Sequence, residues 1–164
     1  MKIKIIEIPL TQGKVALIDE EDFETVSLFK WCADKGRRTY YAVTRNRING
    51  KQIKTYMHRL LLNLGKREQG DHINSNGLDN RRSVNLRCST SSQNSMNQRK
   101  QNRKTSSKYK GVYWSKNRKM WHVRINKNGS QINIGHFYEE DAAGQAYNFV
   151  AKELFGEFAK LNPI

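Results

Sequence analysis

The chain has 164 residues, and its 30 Lys and Arg against 15 Asp and Glu give a formal net charge of +15. This length holds one ordinary domain or two to three small ones. No apolar run approaches the roughly 18 residues of a membrane-spanning helix, so we expect no membrane association. Two distant cysteines argue against a disulfide scaffold and a four-cysteine zinc site. The composition predicts an intracellular, cytoplasmic protein that is not secreted and that binds a polyanion.

The positive charge is concentrated in the middle of the chain. Residues 54–107 carry eleven Lys or Arg against three Asp or Glu, and residues 81–104 carry seven basic side chains and no acidic one. Solvated surfaces usually mix the two signs. When a segment with only positive charges neutralises phosphates, the nucleic acid releases its condensed counterions, which favours binding. This segment therefore predicts nucleic-acid binding.

The first third predicts an α+β region. Strands are expected at 3–9 and 15–18, on either side of a turn at Gly13. Asp19 is expected to cap a short helix. That helix would bury apolar side chains, namely Phe23, Val26 or Leu28, and Trp31.

A hairpin and a second short helix follow. The runs 39–45 and 52–57 predict strands joined by Asn49-Gly50, a strong two-residue hairpin signal. Residues 58–64 predict a helix that ends at Gly65. Residues 66–102 hold few large apolar side chains, so a metal, a nucleic acid or a neighbouring element must help to order them. Residues 98–108 contain no apolar residue and predict an extended, charged linker.

The last third predicts three antiparallel strands packed on one helix. The strands are expected at 111–114, 120–125 and 131–137, with a turn at Asn128-Gly129. A helix over 139–154 carries acidic residues in its first turn and ends at Gly156. Its apolar stripe has helical spacing and consists of Ala143, Ala146, Tyr147, Val150 and Leu154.

The segment whose side chains could carry out a reaction begins at Asp71-His72. In an extended strand these neighbours point to opposite sides, so one can hold a cation while the other faces water or substrate. Thr90 and Gln93 form a plausible capping box, which starts a helix near Ser91 and puts Asn94 in its first turns. Carboxylate and amide oxygens suit Mg²⁺, and a neutral imidazole can take a proton from water. The outline is that of a one-metal phosphodiesterase.

The residues DHIN, LDNRR, VNLR and SQNSMN, in that order, resemble the HNH endonucleases of the phage and intron homing branch. The resemblance covers about residues 53–103 and implies a ββα-metal (His-Me finger) core. By it, Asp71 and Asn94 are the metal ligands, His72 is the general base, and Asn85 fixes the loop that orients His72. Asn stands where some members have a last histidine, which favours one Mg²⁺ or Mn²⁺ per active site over Zn²⁺ or Ni²⁺. No small-molecule cofactor is implied.

Residues 109–162 resemble the DNA-binding domain of plant ethylene-response factors, the APETALA-two type. The resemblance rests on YKGVYW, KMWHVRI, IGHFYEEDAA and FGEFAKLN. In that family the three-stranded sheet enters the major groove. Carried over by position, the DNA-contacting residues are Lys110, Tyr113, Arg124, Asn126 and Gln131, together with Arg118 or Asn117 at the turn, where one extra residue shifts the register. Because Tyr113, Gln131 and Asn133 replace the usual Arg, Arg and Trp, the plant target sequence is not expected.

These observations predict a metal-dependent, homing-type DNA endonuclease of a phage or another mobile element. Its parts would be an N-terminal α+β scaffold (1–52), an HNH core (53–103), a basic linker (104–108) and an APETALA-two-like module (109–164). Double-stranded DNA is the expected partner, bound also by the basic side chains Arg59, Arg81, Arg82, Arg87 and Arg99. One site on a monomer suffices for a nick, whereas a double-strand break needs two chains or two visits. The alternatives are a DNA-binding protein that does not cleave and a basic RNA-binding protein.

Overall fold

The computed structural model describes residues 4–100 and 105–164. The chain divides into two compact units, Met1–Ser91 and Ser92–Ile164. Both mix helices with small antiparallel sheets, so the predicted α+β class is confirmed at that level. Within the described residues, no helix is long and apolar enough to cross a membrane.

Over its described residues, the first unit contains three small antiparallel sheets and two short α-helices. The elements in chain order are β1 (Ile5–Pro9), β2 (Val15–Asp19), α1 (Phe23–Ser27), β3 (Cys32–Lys35), β4 (Tyr40–Ile48), β5 (Lys51–Tyr56), α2 (Met57–Leu61), β6 (Gln69–His72) and β7 (Leu86–Ser89). Strands β1 and β2 form one sheet, β3, β4 and β5 the second, and β6 and β7 the third. The short strand β3 was not expected from the sequence.

One hydrophobic core unites the first unit. Alternation along β1 and β2 turns Ile8, Ala16 and Ile18 inward, and these residues pack with Met57 of α2 and Leu86 of β7. Since β7 belongs to the segment that resembles a nuclease, that segment and the N-terminal region bury their apolar side chains together. The N-terminal region and the segment that resembles a nuclease therefore share one hydrophobic core.

The predicted hairpin is confirmed and the predicted helix ends are corrected. Asn49 and Gly50 both have positive φ, as a two-residue turn between β4 and β5 requires. Asp19 makes no capping hydrogen bond, because its carboxylate instead accepts bonds from the backbone N–H and the hydroxyl of Ser83. Helix α2 ends at Leu61 and Asn63 takes the left-handed conformation, so Gly65 is not its stop.

The first predicted helix buries less than expected. Val26 and Trp31 are buried, and the Trp31 indole N–H donates to the carbonyl of Val26 over 2.8 Å. Phe23 and Leu28 are exposed, Leu28 to 78%. A helix of only five residues has one inward-facing position per turn, and here Val26 takes it.

The second unit is a three-stranded sheet packed on a long helix. Its elements are α3 (Ser91–Met96, whose first residue closes the first unit), β8 (Val112–Ser115), β9 (Met120–Lys127), β10 (Ser130–Phe137) and α4 (Glu140–Phe155). Strand β9 is central, and Asn128 and Gly129 turn the chain into β10 with positive φ. Val112, Val123 and Ile125 pack against α4, so all the strands and the helix predicted for the last third are confirmed.

Two close contacts fix the start of this unit. Gly111 has φ +77°, and a Cβ there would lie 2.2 Å from Cδ2 of Tyr147, which is why only glycine fits. Of the linker predicted over 104–108, Lys104 lies outside the described residues. Ser107 is buried, and its hydroxyl donates to Oε1 of Glu140 in α4 over 2.7 Å. This end of the linker is therefore packed on the helix.

Candidate active site and nucleic-acid interface

Asp71 and His72 lie at the end of β6, where they pair with Arg87 and Leu86 of β7. Both side chains are largely buried, Asp71 at 4% exposure and His72 at 7%. Successive strand residues point to opposite faces, so the carboxylate and the imidazole sit on different sides of one short hairpin. The order β6, β7, α3 is the strand–strand–helix order that the motif implies.

The Asp71 carboxylate has a cationic partner across the hairpin. Oδ2 of Asp71 accepts hydrogen bonds from Arg87, over 2.9 Å from Nε and 2.7 Å from the terminal nitrogen. Both side chains are almost fully buried. A charge-assisted bond of this kind is strong and directional, so Arg87 fixes the orientation of the Asp71 carboxylate.

The side chain of Asn85 makes two hydrogen bonds to the backbone of the loop between β6 and β7. Its side-chain oxygen accepts from the backbone N–H of Asn74 over 2.9 Å, and its amide nitrogen donates to the carbonyl of Asp79 over 2.6 Å. Asn85 is 2% exposed, and its own carbonyl accepts from the N–H of Ile73. Buried polar groups with both ends satisfied hold a loop in one conformation, and this loop begins directly after His72.

The imidazole of His72 is enclosed by three side chains. Its Nε2 lies 3.3 Å from Oδ1 of Asn80, and its ring contacts those of His58 and Tyr41 at centroid distances of 4.9 Å and 6.0 Å. Burial lowers the pKa of His72 below its usual 6.5, against the opposing effects of Asn80, Asp71 and Asp79. At neutral pH the ring is therefore uncharged, as a proton acceptor must be.

His58 is the most strongly perturbed group near the site. Burial first, and then the neighbouring His72 and Arg59, lower the pKa of His58 to about 3. Gly70 makes this packing possible, because a Cβ there would lie 2.9 Å from Cδ2 of His58. His58 thus stays neutral and packs its ring on the neutral ring of His72.

Asn94 lies on α3, directly after β7 and Thr90, and belongs to the second unit. The helix begins at Ser91, as predicted. Within the described ranges, no group of three or more His, Cys, Asp or Glu side chains could hold a metal ion.

All four arginines expected to bind DNA in the first unit have intramolecular partners. Arg81 pairs with Asp79, Arg82 with Asp22, and Arg87 with Asp71. The Arg59 guanidinium donates to main-chain carbonyls, including that of Gly65 at 2.6 Å. Arg82 keeps the most exposed side chain of the three paired arginines, at 43%, whereas Arg99 of the second unit is exposed.

In the second unit, the face of the sheet turned away from α4 carries a connected polar cluster. The Arg124 guanidinium stacks 5.0 Å from the Tyr113 ring centroid and donates to the side-chain oxygen of Gln131 over 2.8 Å. The ring of His122 contacts Tyr113 through Nδ1 and Asn133 through Nε2, at 2.6 Å and 2.5 Å. The sheet thus brings together three of the residues carried over from the family pattern.

The remaining residues predicted to contact DNA in this unit have different settings. Asn126 lies on the same sheet face, opposite Gln131, and Arg118 is exposed in the turn before β9. The Lys110 ammonium donates to the carbonyls of Met96 and Gln98, both over 2.8 Å. Lys110 therefore caps the end of α3, which the sequence did not suggest.

Sequence reasoning missed several residues that surround the expected centre. Asn80 stood within the quoted LDNRR motif but was given no role. Tyr41 has no local signal, since it reaches His72 from β4 only through the fold. In the second unit, His122 and Asn133 are strand residues on the polar face of the sheet. His122 alternates with Val123 along β9, and Asn133 lies between Ile132 and Ile134 of β10, so the alternation along each strand is the signal that could have identified them.

The comparisons with known proteins gave one informative match. The chain is 35% identical over 157 residues to an uncharacterized HNH endonuclease of Acanthamoeba polyphaga mimivirus, a match that covers 93% of this chain and 77% of that protein. No family model and no solved structure matches the chain.

Proposed function

Because the chain belongs to the HNH endonuclease family, we propose that it is a metal-dependent DNA endonuclease whose catalytic residues include Asp71 and His72 at the end of β6. The observation that carries the proposal is the buried Asp71-His72 pair at the end of β6, followed by a loop that Asn85 holds in place. A carboxylate and a neutral imidazole on adjacent residues supply a ligand for a cation and an acceptor for the proton of water, the two groups that hydrolysis of a phosphodiester needs.

His72 is the general base in this proposal. Burial and a neutral ring favour proton acceptance from a water molecule that attacks phosphorus. Asn85 is a positioning residue, because it fixes the loop that leaves β6 at His72. Arg87 orients the Asp71 carboxylate across the hairpin. Together these contacts hold the reacting groups without a large reorganisation during the reaction.

By the sequence resemblance to HNH endonucleases, Asp71 and Asn94 are the ligands that we propose for a divalent cation. Their oxygens fit one Mg²⁺ or Mn²⁺ and do not match the nitrogen and sulfur donors of a typical zinc site. When bound, such an ion would neutralise charge on the scissile phosphate and on the leaving 3′ oxygen. A single carboxylate ligand implies modest affinity for the ion in the absence of DNA.

The second unit would select the DNA site, in line with its likeness to the ethylene-response-factor domain. Support comes from the polar sheet face, where Arg124 is held between Tyr113 and Gln131. A fixed guanidinium has the geometry to read guanine in the major groove, and Gln and Asn have the geometry to read adenine. Asn126, Arg118 and Arg99 would extend this contact surface, whereas Lys110 would act by holding α3.

Cleavage of supercoiled plasmid tests the activity. Wild-type protein with Mg²⁺ or Mn²⁺ is expected to yield relaxed circles, the product of one site acting on one strand. EDTA and His72→Ala should each abolish this product while the mobility shift of bound DNA persists. Linear product at the earliest times would instead indicate a dimer. Source DNA added as competitor would test the proposal of a homing-type target.

A DNA-binding protein that does not cleave is the second candidate. One observation favours it: the Asp71 carboxylate is already paired with Arg87, and that contact competes with a cation. Intact plasmid with both ions, together with a clear mobility shift, would establish this second candidate and refute the endonuclease.

A further inference from the structure

The side chain of Asn80 sits in an unusual environment beside His72. It is fully buried, at 0% exposure, and its Oδ1 lies 3.3 Å from Nε2 of His72. Across the described part of the chain, its amide nitrogen Nδ2 finds no hydrogen-bond partner. A buried amide left half-satisfied costs stability, so packing alone does not account for an asparagine here.

The backbone of Asn80 is anchored to the N-terminal region. Its N–H donates to the carbonyl of Leu17 over 2.7 Å, and the N–H of Leu17 donates to the carbonyl of Leu78 over 2.9 Å. Segment 78–80 therefore runs alongside β2 as a short parallel pairing. Asn80 is consequently held by a strand of the core, so its side chain has a fixed position relative to His72.

Other side chains of the first unit limit the motion of the imidazole. The ring of His58 meets that of His72 edge to face, at 4.9 Å and an interplanar angle of 76°. The Tyr41 ring lies 6.0 Å away. These contacts restrict the tilt of the His72 ring but leave open which nitrogen carries the proton. A hydrogen bond to one ring nitrogen makes that choice.

We propose that Asn80 is a positioning residue for the general base: its Oδ1 accepts the Nε2–H of His72 and so fixes both the plane and the tautomer of the imidazole. The lone pair that accepts a proton is then on Nδ1. This inference rests on the proposed function of His72, and it gives the N-terminal region a role in the reaction through β2 and Leu17.

The first test is an NMR measurement of the ring nitrogens in the full chain, labelled with ¹⁵N-histidine. Long-range ¹H–¹⁵N correlations assigned with His72→Ala should show the Nε2–H tautomer in the wild type. The Nδ1–H tautomer would overturn the proposal. This readout needs no cleavage, so it stays informative if the endonuclease proposal itself fails.

The second test separates positioning from stability with two variants. Asn80→Leu removes the acceptor together with the half-satisfied amide, so it should fold as stably as the wild type. It should mix the His72 tautomers and lower kcat about tenfold at unchanged DNA affinity. Asn80→Asp keeps an acceptor oxygen and should retain the Nε2–H signal.

Ile18→Val is the matched control, since it changes a fully buried side chain of the same core. It should lower stability modestly and leave kcat unchanged. Wild-type kcat and an unaltered His72 signal in folded Asn80→Leu would refute the inference. An inactive wild type with the Nε2–H tautomer would refute only the endonuclease proposal.

Discussion

His58 should make the folded protein sensitive to mild acid. Burial holds the pKa of His58 at about 3, whereas the unfolded chain takes up this proton near 6.5. Below pH 6.5 the unfolded state binds a proton that the folded state rejects, so stability is full above pH 6.5 and falls as the pH drops toward 3. The slope approaches about 1.4 kcal/mol per pH unit.

Between pH 7 and pH 5 the contribution of His58 amounts to about 2 kcal/mol of lost unfolding free energy. Urea unfolding followed by circular dichroism at the two pH values measures it, as a shift of the midpoint by about 1 M. His58→Phe keeps an aromatic ring but cannot titrate. The substitution also changes the unfolding free energy by an amount that does not depend on pH, and this amount cancels when pH 7 and pH 5 are compared for the same protein. The contribution of His72 cancels between the two proteins, because both retain this residue.

The difference between the two proteins is the decisive quantity. The wild type should lose about 2 kcal/mol more than His58→Phe over this interval. An equal loss in both would show that His58 is protonated in the folded state at pH 5. The reasoning that burial keeps this ring neutral beside His72 would then be refuted.

Three further substitutions probe the loop and the second unit. Asn85→Ala leaves the buried N–H of Asn74 and the carbonyl of Asp79 unpaired, so it should cost about 2–4 kcal/mol in urea unfolding and abolish plasmid cleavage. Gly111→Ala forces a Cβ to 2.2 Å from the Tyr147 ring at φ +77° and should unfold the second unit, measured as lost DNA binding. Its control is Gly129→Ala, which has φ +81° but no atom within 4 Å and should cost only about 1–2 kcal/mol. Arg124→Met should weaken binding to a selected site by about 1–3 kcal/mol relative to random DNA, and equal weakening on both DNAs would contradict a role in base reading.

The strands and turns were predictable because their signals are local. Alternation of apolar and polar residues identified β9, and Asn-Gly pairs identified both hairpin turns, since these turns need positive φ at two successive residues. The helix stop at Gly156 follows from the same backbone requirement. Such signals depend on a few neighbouring residues, so tertiary packing left these strands and turns where the sequence predicts them.

Sequence reasoning did not find the side-chain partners that lie far along the chain. Asp19 was expected to cap the next helix, but it binds Ser83, 64 residues away. Arg82, which the sequence predicts to contact DNA, pairs with Asp22, 60 residues away. A carboxylate or a guanidinium accepts several partners of similar energy, and only the fold decides which one comes near.

The sequence by itself predicted the α+β class and the order of the strands and helices apart from β3. It also supplied the motif residues Asp71, His72, Asn85 and Asn94, on which the proposed chemistry rests. The tertiary structure alone decided what surrounds His72. Asn80 is held beside His72 by its backbone hydrogen bond to β2, and the rings of Tyr41 from β4 and His58 from α2 contact that of His72. The physical reason is that a strand period or a turn is encoded within a few residues, whereas the polarity of a buried site depends on which distant segments share its core.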